Sequence, residues 1–119
     1  MVDWYILDEN KNPVKAKDFM EYANWSSDGN RIVEQTDIGN VKVSTVFLGL
    51  DHSFTKGVVI LFETMVFGGE ADEYQQRYQT WKEAVKGHKY ACRMVLKTFA
   101  LEPDKLQKVV IESLRKRIS

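Results

Sequence analysis

The chain has one cysteine, two histidines and two prolines among 119 residues, and its formal net charge is zero. A lone thiol, Cys92, excludes an intramolecular disulfide and any thiolate-rich zinc site. Two histidines, His52 and His88, would share a metal only if folding brought them together, and their spacing is not that of a His-Glu-x-x-His helix. No apolar run approaches the ~20 residues of a membrane span. The N-terminal stretch lacks the basic region followed by an apolar core that marks a signal peptide, so a reduced, cytoplasmic setting is expected. There is no nucleophile elbow and no glycine pattern for phosphate, and Gly68-Gly69 reads as a turn. Neither a cofactor nor a metal is expected.

What is present is ordinary for a globular protein: 44% hydrophobic and 29% charged residues. A chain of this length buries roughly 65% of its unfolded surface, enough for one core, and residues 1–119 read as a single domain. The zero net charge conceals a division. Residues 1–80 carry 13 acids against 7 bases, while residues 81–119 carry 10 bases against 4 acids. Such segregation either steers a charged partner or holds an acidic sheet against basic helices.

Patterning gives the order of elements. Trp4–Leu7, a turn ending at Pro13, and Val14–Ala16 form a short hairpin. Asp18 caps a short helix through Trp25, with Phe19, Tyr22, Ala23 and Trp25 on one side. Arg31–Ile38 reads as an outer strand, Gly39-Asn40 as a hairpin turn, Val41–Leu50 and the almost wholly apolar Val58–Phe67 as inner strands. Tyr74, Gln76 and Tyr78 alternate in a last strand. Thr80-Trp81-Lys82-Glu83 is a capping box opening a long amphipathic helix to Phe99, with Cys92 on its apolar face. Pro103 starts a second helix, whose stripe is Leu106, Val109, Val110 and Leu114. The expected class is α+β: an antiparallel meander sheet of four to five strands, a short N-terminal helix, and a C-terminal helical hairpin packed on one face.

Among residues able to carry chemistry, Glu63 is the most unusual, because a carboxylate inside Leu61–Phe67 is costly unless paired. Pairing Val58 near Leu50 and Phe67 near Tyr74 sets Glu63 opposite Thr45 on one side and Tyr78 on the other. Such a row suits acid–base chemistry, with His52 and His88 as further candidates. The plainer readings are a Glu paired with Lys or Arg, a surface His52 beside Asp51 in a turn, and a packed, hydrogen-bonded His88. The sharpest interaction feature is the series Lys82, Lys86, Lys89, Arg93 and Lys97, which falls within an arc of about 80° beside the apolar face of the long helix. A ridge of this kind suits an acidic protein groove or a phosphate backbone. It also suits a solvated face.

The runs VSTVFLGLDHSF and LFETMVFGGEADEYQQRYQTWKEAVKGH, spanning about Val43–His88, resemble a family of small proteins encoded by tailed bacteriophages and prophages. No agreed activity attaches to that family, so the resemblance transfers no functional residue. It implies a mobile-element origin and a bacterial cytoplasm. The expected function is therefore a non-enzymatic accessory protein that binds a host protein complex or nucleic acid through the basic ridge, for example as an inhibitor of a host defence system. Two alternatives stand beside it. One is a small hydrolase or nucleotide-binding protein with its site around Glu63 and His52. The other is a homodimer burying Trp4, Trp25 and Phe47 on an uncovered sheet face.

Overall fold

A computed structural model describes residues 3–51 and 57–99. The chain is α+β, with two antiparallel sheets and two helices among the described residues. Strands β1 (Tyr5–Leu7) and β2 (Pro13–Lys15) form a hairpin, followed by helix α1 (Phe19–Ser26). Strands β3 (Ile32–Ile38), β4 (Val41–Phe47), β5 (Phe62–Phe67) and β6 (Gln75–Tyr78) form a four-stranded meander, and helix α2 (Trp81–Thr98) lies across it. The hairpin adds no fifth strand to that sheet. It is tied to the end of β4 by a Trp4–Leu50 bridge and a 2.8 Å bond from the Tyr5 amide to the Gly49 carbonyl. Gly49 is required there: its φ is +81°, and a Cβ would overlap the Tyr22 ring. The second helix of the expected hairpin, with Leu106 and Val109, lies outside the described residues.

Both helices start where the side-chain chemistry says they should. Asp18 accepts the Glu21 amide at 2.9 Å, and Thr80 accepts the Glu83 amide at 3.1 Å. Glu83 returns to the cap through its side chain, accepting from the Thr80 hydroxyl at 3.0 Å in place of the backbone amide of a full capping box. The buried residues of α2 (Ala84, His88, Ala91 and Val95) face the sheet. They pack on Ile38, Val41, Val43 and Val66 at one end and on Phe47, Leu61 and Phe62 at the other. From there a chain of rings runs Phe62–Phe47–Trp25–Tyr22–Trp4–Phe19, with neighbouring centroids 4.5 to 6.4 Å apart. It joins the N-terminal hairpin and α1 to the sheet core. Trp4, Trp25 and Phe47 therefore do not lie on an open sheet face. The face away from α2 carries Ile32, Val46, Met65 and Phe67 instead.

The two registers around β5 differ from expectation by one residue each. Val58 to Leu61 do not join the ladder as a strand; the Ile60 amide turns to the Asp51 carboxylate at 2.9 Å, and pairing begins at Phe47–Phe62. Glu63 is thus paired with Val46 and Arg77, while Thr64 faces Thr45. A one-residue slip exchanges the two faces of a strand. Both polar side chains are buried and both are paired: the hydroxyl of Thr64 is bonded beneath α2, and the carboxylate of Glu63 is held by Arg77 and Gln75 on the side away from α2.

Candidate functional site

The face of α2 opposite the sheet displays the whole basic series. Lys82, Lys86, Lys89, Arg93 and Lys97 are all exposed. Spaced by three and four residues, they form a line about 22 Å long at 1.5 Å per residue. Tyr90, 56% exposed, stands beside the line. The ion pairs among the described residues include Lys15–Asp3 and Arg77–Glu63, with His88 near Glu34, and none of these involves a ridge cation.

Beneath the ridge, on the sheet side of α2, lies a buried polar row. His88 is 1% exposed, and Thr45 and Thr64 are fully buried. His88 Nε2 lies 2.8 Å from Thr36 Oγ1 on β3, and Nδ1 lies 2.7 Å from Thr45 Oγ1 on β4. Thr45 Oγ1 is 2.6 Å from Thr64 Oγ1 on β5, and the Tyr78 hydroxyl on β6 donates to Thr64 Oγ1 at 3.1 Å. The row crosses every strand of the sheet. Burial pushes the His88 imidazole below its ordinary range, opposed by the Glu34 carboxylate 3.8 Å from Nε2. Burial raises the Tyr78 phenol, with the Thr64 hydroxyl offsetting part of the effect, and burial beside Tyr78 and Tyr90 raises Tyr74. At neutral pH all three are uncharged.

The expected Thr45–Glu63–Tyr78 row is corrected accordingly. Thr45, Tyr78 and His88 do meet, but through Thr64. Glu63 points to the opposite face, 10% exposed, bound to Arg77 Nε at 2.9 Å and to the Gln75 amide. His52 lies outside the described residues. Sequence reasoning missed Thr36 and Thr64, and the available signal was weak: a threonine inside an apolar strand is also a good strand former. What gives these threonines away is His88, a buried group needing two partners at once.

Among the described residues no group of three His, Cys, Asp or Glu could hold a metal ion, and no helix is long and apolar enough to cross a membrane. An open depression of about 460 Å³ is lined by Glu70, Asp72, Glu73 and Tyr74 and, from α2, by Met94 and Thr98. Comparison of the chain with protein-family models, with curated proteins and with solved structures finds no match.

Proposed function

We propose that this protein acts by binding, as a phage or prophage accessory protein whose α2 ridge docks on an acidic surface of a host protein complex. Inhibition of a host defence complex is the form such binding would take. The observation that carries the reading is the set of five exposed cations on one helix face, none of them in the ion pairs named above among the described residues. Exposed charges without partners contribute little to stability, while complementary charge across an interface speeds and orients association. A protein surface is favoured over nucleic acid because the chain as a whole is neutral, with a sequence pI near 6.7. Nucleic-acid readers of this size typically carry a strong basic excess. A hydrolase built on Glu63 and His52 gains no support, since Glu63 is held by Arg77 and Gln75 on the face away from His88 and Tyr78.

The test is capture from a bacterial host lysate, with and without nuclease, by the wild type and by a Lys86→Glu/Lys89→Glu/Arg93→Glu variant. The expected outcome is a stoichiometric protein partner that survives nuclease and is lost in the variant, while circular dichroism shows the variant folded. Retention of the partner by the folded variant rejects the ridge as the contact surface. Loss on nuclease treatment replaces the protein partner with nucleic acid.

A further inference from the structure

We infer that Tyr78, Thr64, Thr45, His88 and Thr36 form a directional hydrogen-bond relay across the sheet, and that proton uptake at His88 reverses it and turns the Tyr78 hydroxyl hydrogen away from Thr64. The inference rests on hydrogen counting in the buried row and is independent of the ridge reading.

Each hydroxyl brings one hydrogen, and a neutral imidazole brings one. Tyr78 spends its hydrogen on Thr64 Oγ1. The Thr64 hydrogen is then the one shared with Thr45, 2.6 Å away, and the Thr45 hydrogen must point at His88 Nδ1, 2.7 Å away. Nδ1 accepts, so the imidazole carries its hydrogen on Nε2 and donates it to Thr36 Oγ1 at 2.8 Å. Every link is filled once, and no buried side-chain nitrogen or oxygen lacks a partner among the described residues. The row has one direction, from the β6 edge to the β3 edge.

A proton added at Nδ1 makes His88 a donor on both sides. Thr45 must then accept from Nδ1 and send its own hydrogen to Thr64. Thr64 already receives one from Tyr78; it cannot keep its hydrogen toward Thr45, and its remaining neighbour is the Tyr78 oxygen. Its hydrogen goes there, and the phenol hydrogen swings out. Three hydroxyl groups reverse while the heavy atoms need not move, and the only net change is one proton gained from solvent. Among the described residues, the charged and titratable groups facing His88 are few. From β3 there is the half-exposed Glu34 carboxylate, 3.8 Å from Nε2; β4 and β5 present only Thr45 and Thr64; β6 presents Tyr78; and on α2 itself Cys92 follows one turn on. Glu34, beside Nε2, favours the charged imidazole without supplying the proton, which reaches Nδ1 by hydrogen shifts along the row from the Tyr78 end. Tyr78 marks the far end, and it lies against Gly87 so closely that a Cβ there would overlap its ring and hydroxyl. The relay therefore ends at the contact that holds β6 to α2.

Nuclear magnetic resonance of the full chain tests this directly. At neutral pH the long-range nitrogen–proton correlations of His88 are expected to show the Nε2–H form; the Nδ1–H form overturns the relay. On acidification the Tyr78 Cζ shift is expected to follow the His88 midpoint in the wild type. In Thr64→Val, His88 should still titrate while Tyr78 no longer follows. A Tyr78 signal that ignores His88 in the wild type, or tracks it equally in Thr64→Val, overturns the proposal. Tyr78→Phe is the second variant should Thr64→Val fail to fold. With no phenol oxygen to accept from Thr64, the reversed row loses a partner and the His88 midpoint falls below the wild-type value; an unchanged midpoint overturns the relay.

Discussion

Gly87 shows how little room separates α2 from the sheet. A methyl group at this position would occupy space held by the Tyr78 ring and its hydroxyl. On an exposed helix face Gly→Ala would gain about 1 kcal/mol from helix propensity. Here overpacking costs about 1–3 kcal/mol, so Gly87→Ala is expected to destabilise the protein or at best leave it unimproved. The decisive comparison is a double-mutant cycle in urea with Tyr78→Ala. Once the ring is gone, alanine at 87 should become stabilising. A Gly87→Ala effect of the same size and sign in both backgrounds would mean that the phenol does not press on this residue.

At the scale of the element, α2 is joined to the sheet by apolar packing and by one titratable group. Unfolded, His88 takes up a proton near its ordinary pKa of about 6.5; folded, burial holds it lower. Between those two values the unfolded chain binds more protons than the folded one. The His88 contribution is therefore complete above about pH 6.5, declines as pH falls through the window, and levels off below the folded value. Urea midpoints across this range should drop more steeply in the wild type than in His88→Gln, once the carboxylates common to both are subtracted. Parallel profiles would show that His88 protonation is not linked to folding. Glu34 opposes the shift from the surface, so raising salt, which screens it, is expected to deepen the loss.

At the scale of the whole molecule, the ring chain from Phe19 to Phe62 holds the N-terminal hairpin and α1 against the meander, and Phe47 is its central link, in edge-on contact with both Trp25 and Phe62. Phe47→Ala is expected to cost about 3–5 kcal/mol, a large part of the roughly 5–15 kcal/mol available to a domain. Chemical denaturation followed by tryptophan fluorescence measures it. A cost below about 1 kcal/mol would mean that the two parts are held by other contacts. The ridge belongs to this scale too. Its cations lie on the far side of α2 from the polar row, so charge reversal there and hydroxyl deletion within are expected to act independently.

The alternation of Val41 and Val43 with Lys42, the Gly39-Asn40 turn, the Thr80 cap and the helical spacing of α2 were all legible in the sequence. Each depends on contacts within a few residues or on one repeating period. The basic ridge was legible for the same reason, since a helix fixes the relative direction of its own side chains. The apolar run from Val58 told less: where β5 begins depended on how Asp51 engages the Ile60 amide, a contact no periodicity encodes. Strand faces invert with a single-residue change in pairing, so which residue meets α2, Thr64 rather than Glu63, was settled by long-range partners: Thr45, Tyr78 and His88 on one face, Arg77 and Gln75 on the other. The sequence by itself determined that this chain makes an antiparallel α+β domain with a cationic helix. Only the tertiary structure decided which polar groups meet beneath that helix, because their partners come from four strands and a helix separated by up to 52 residues.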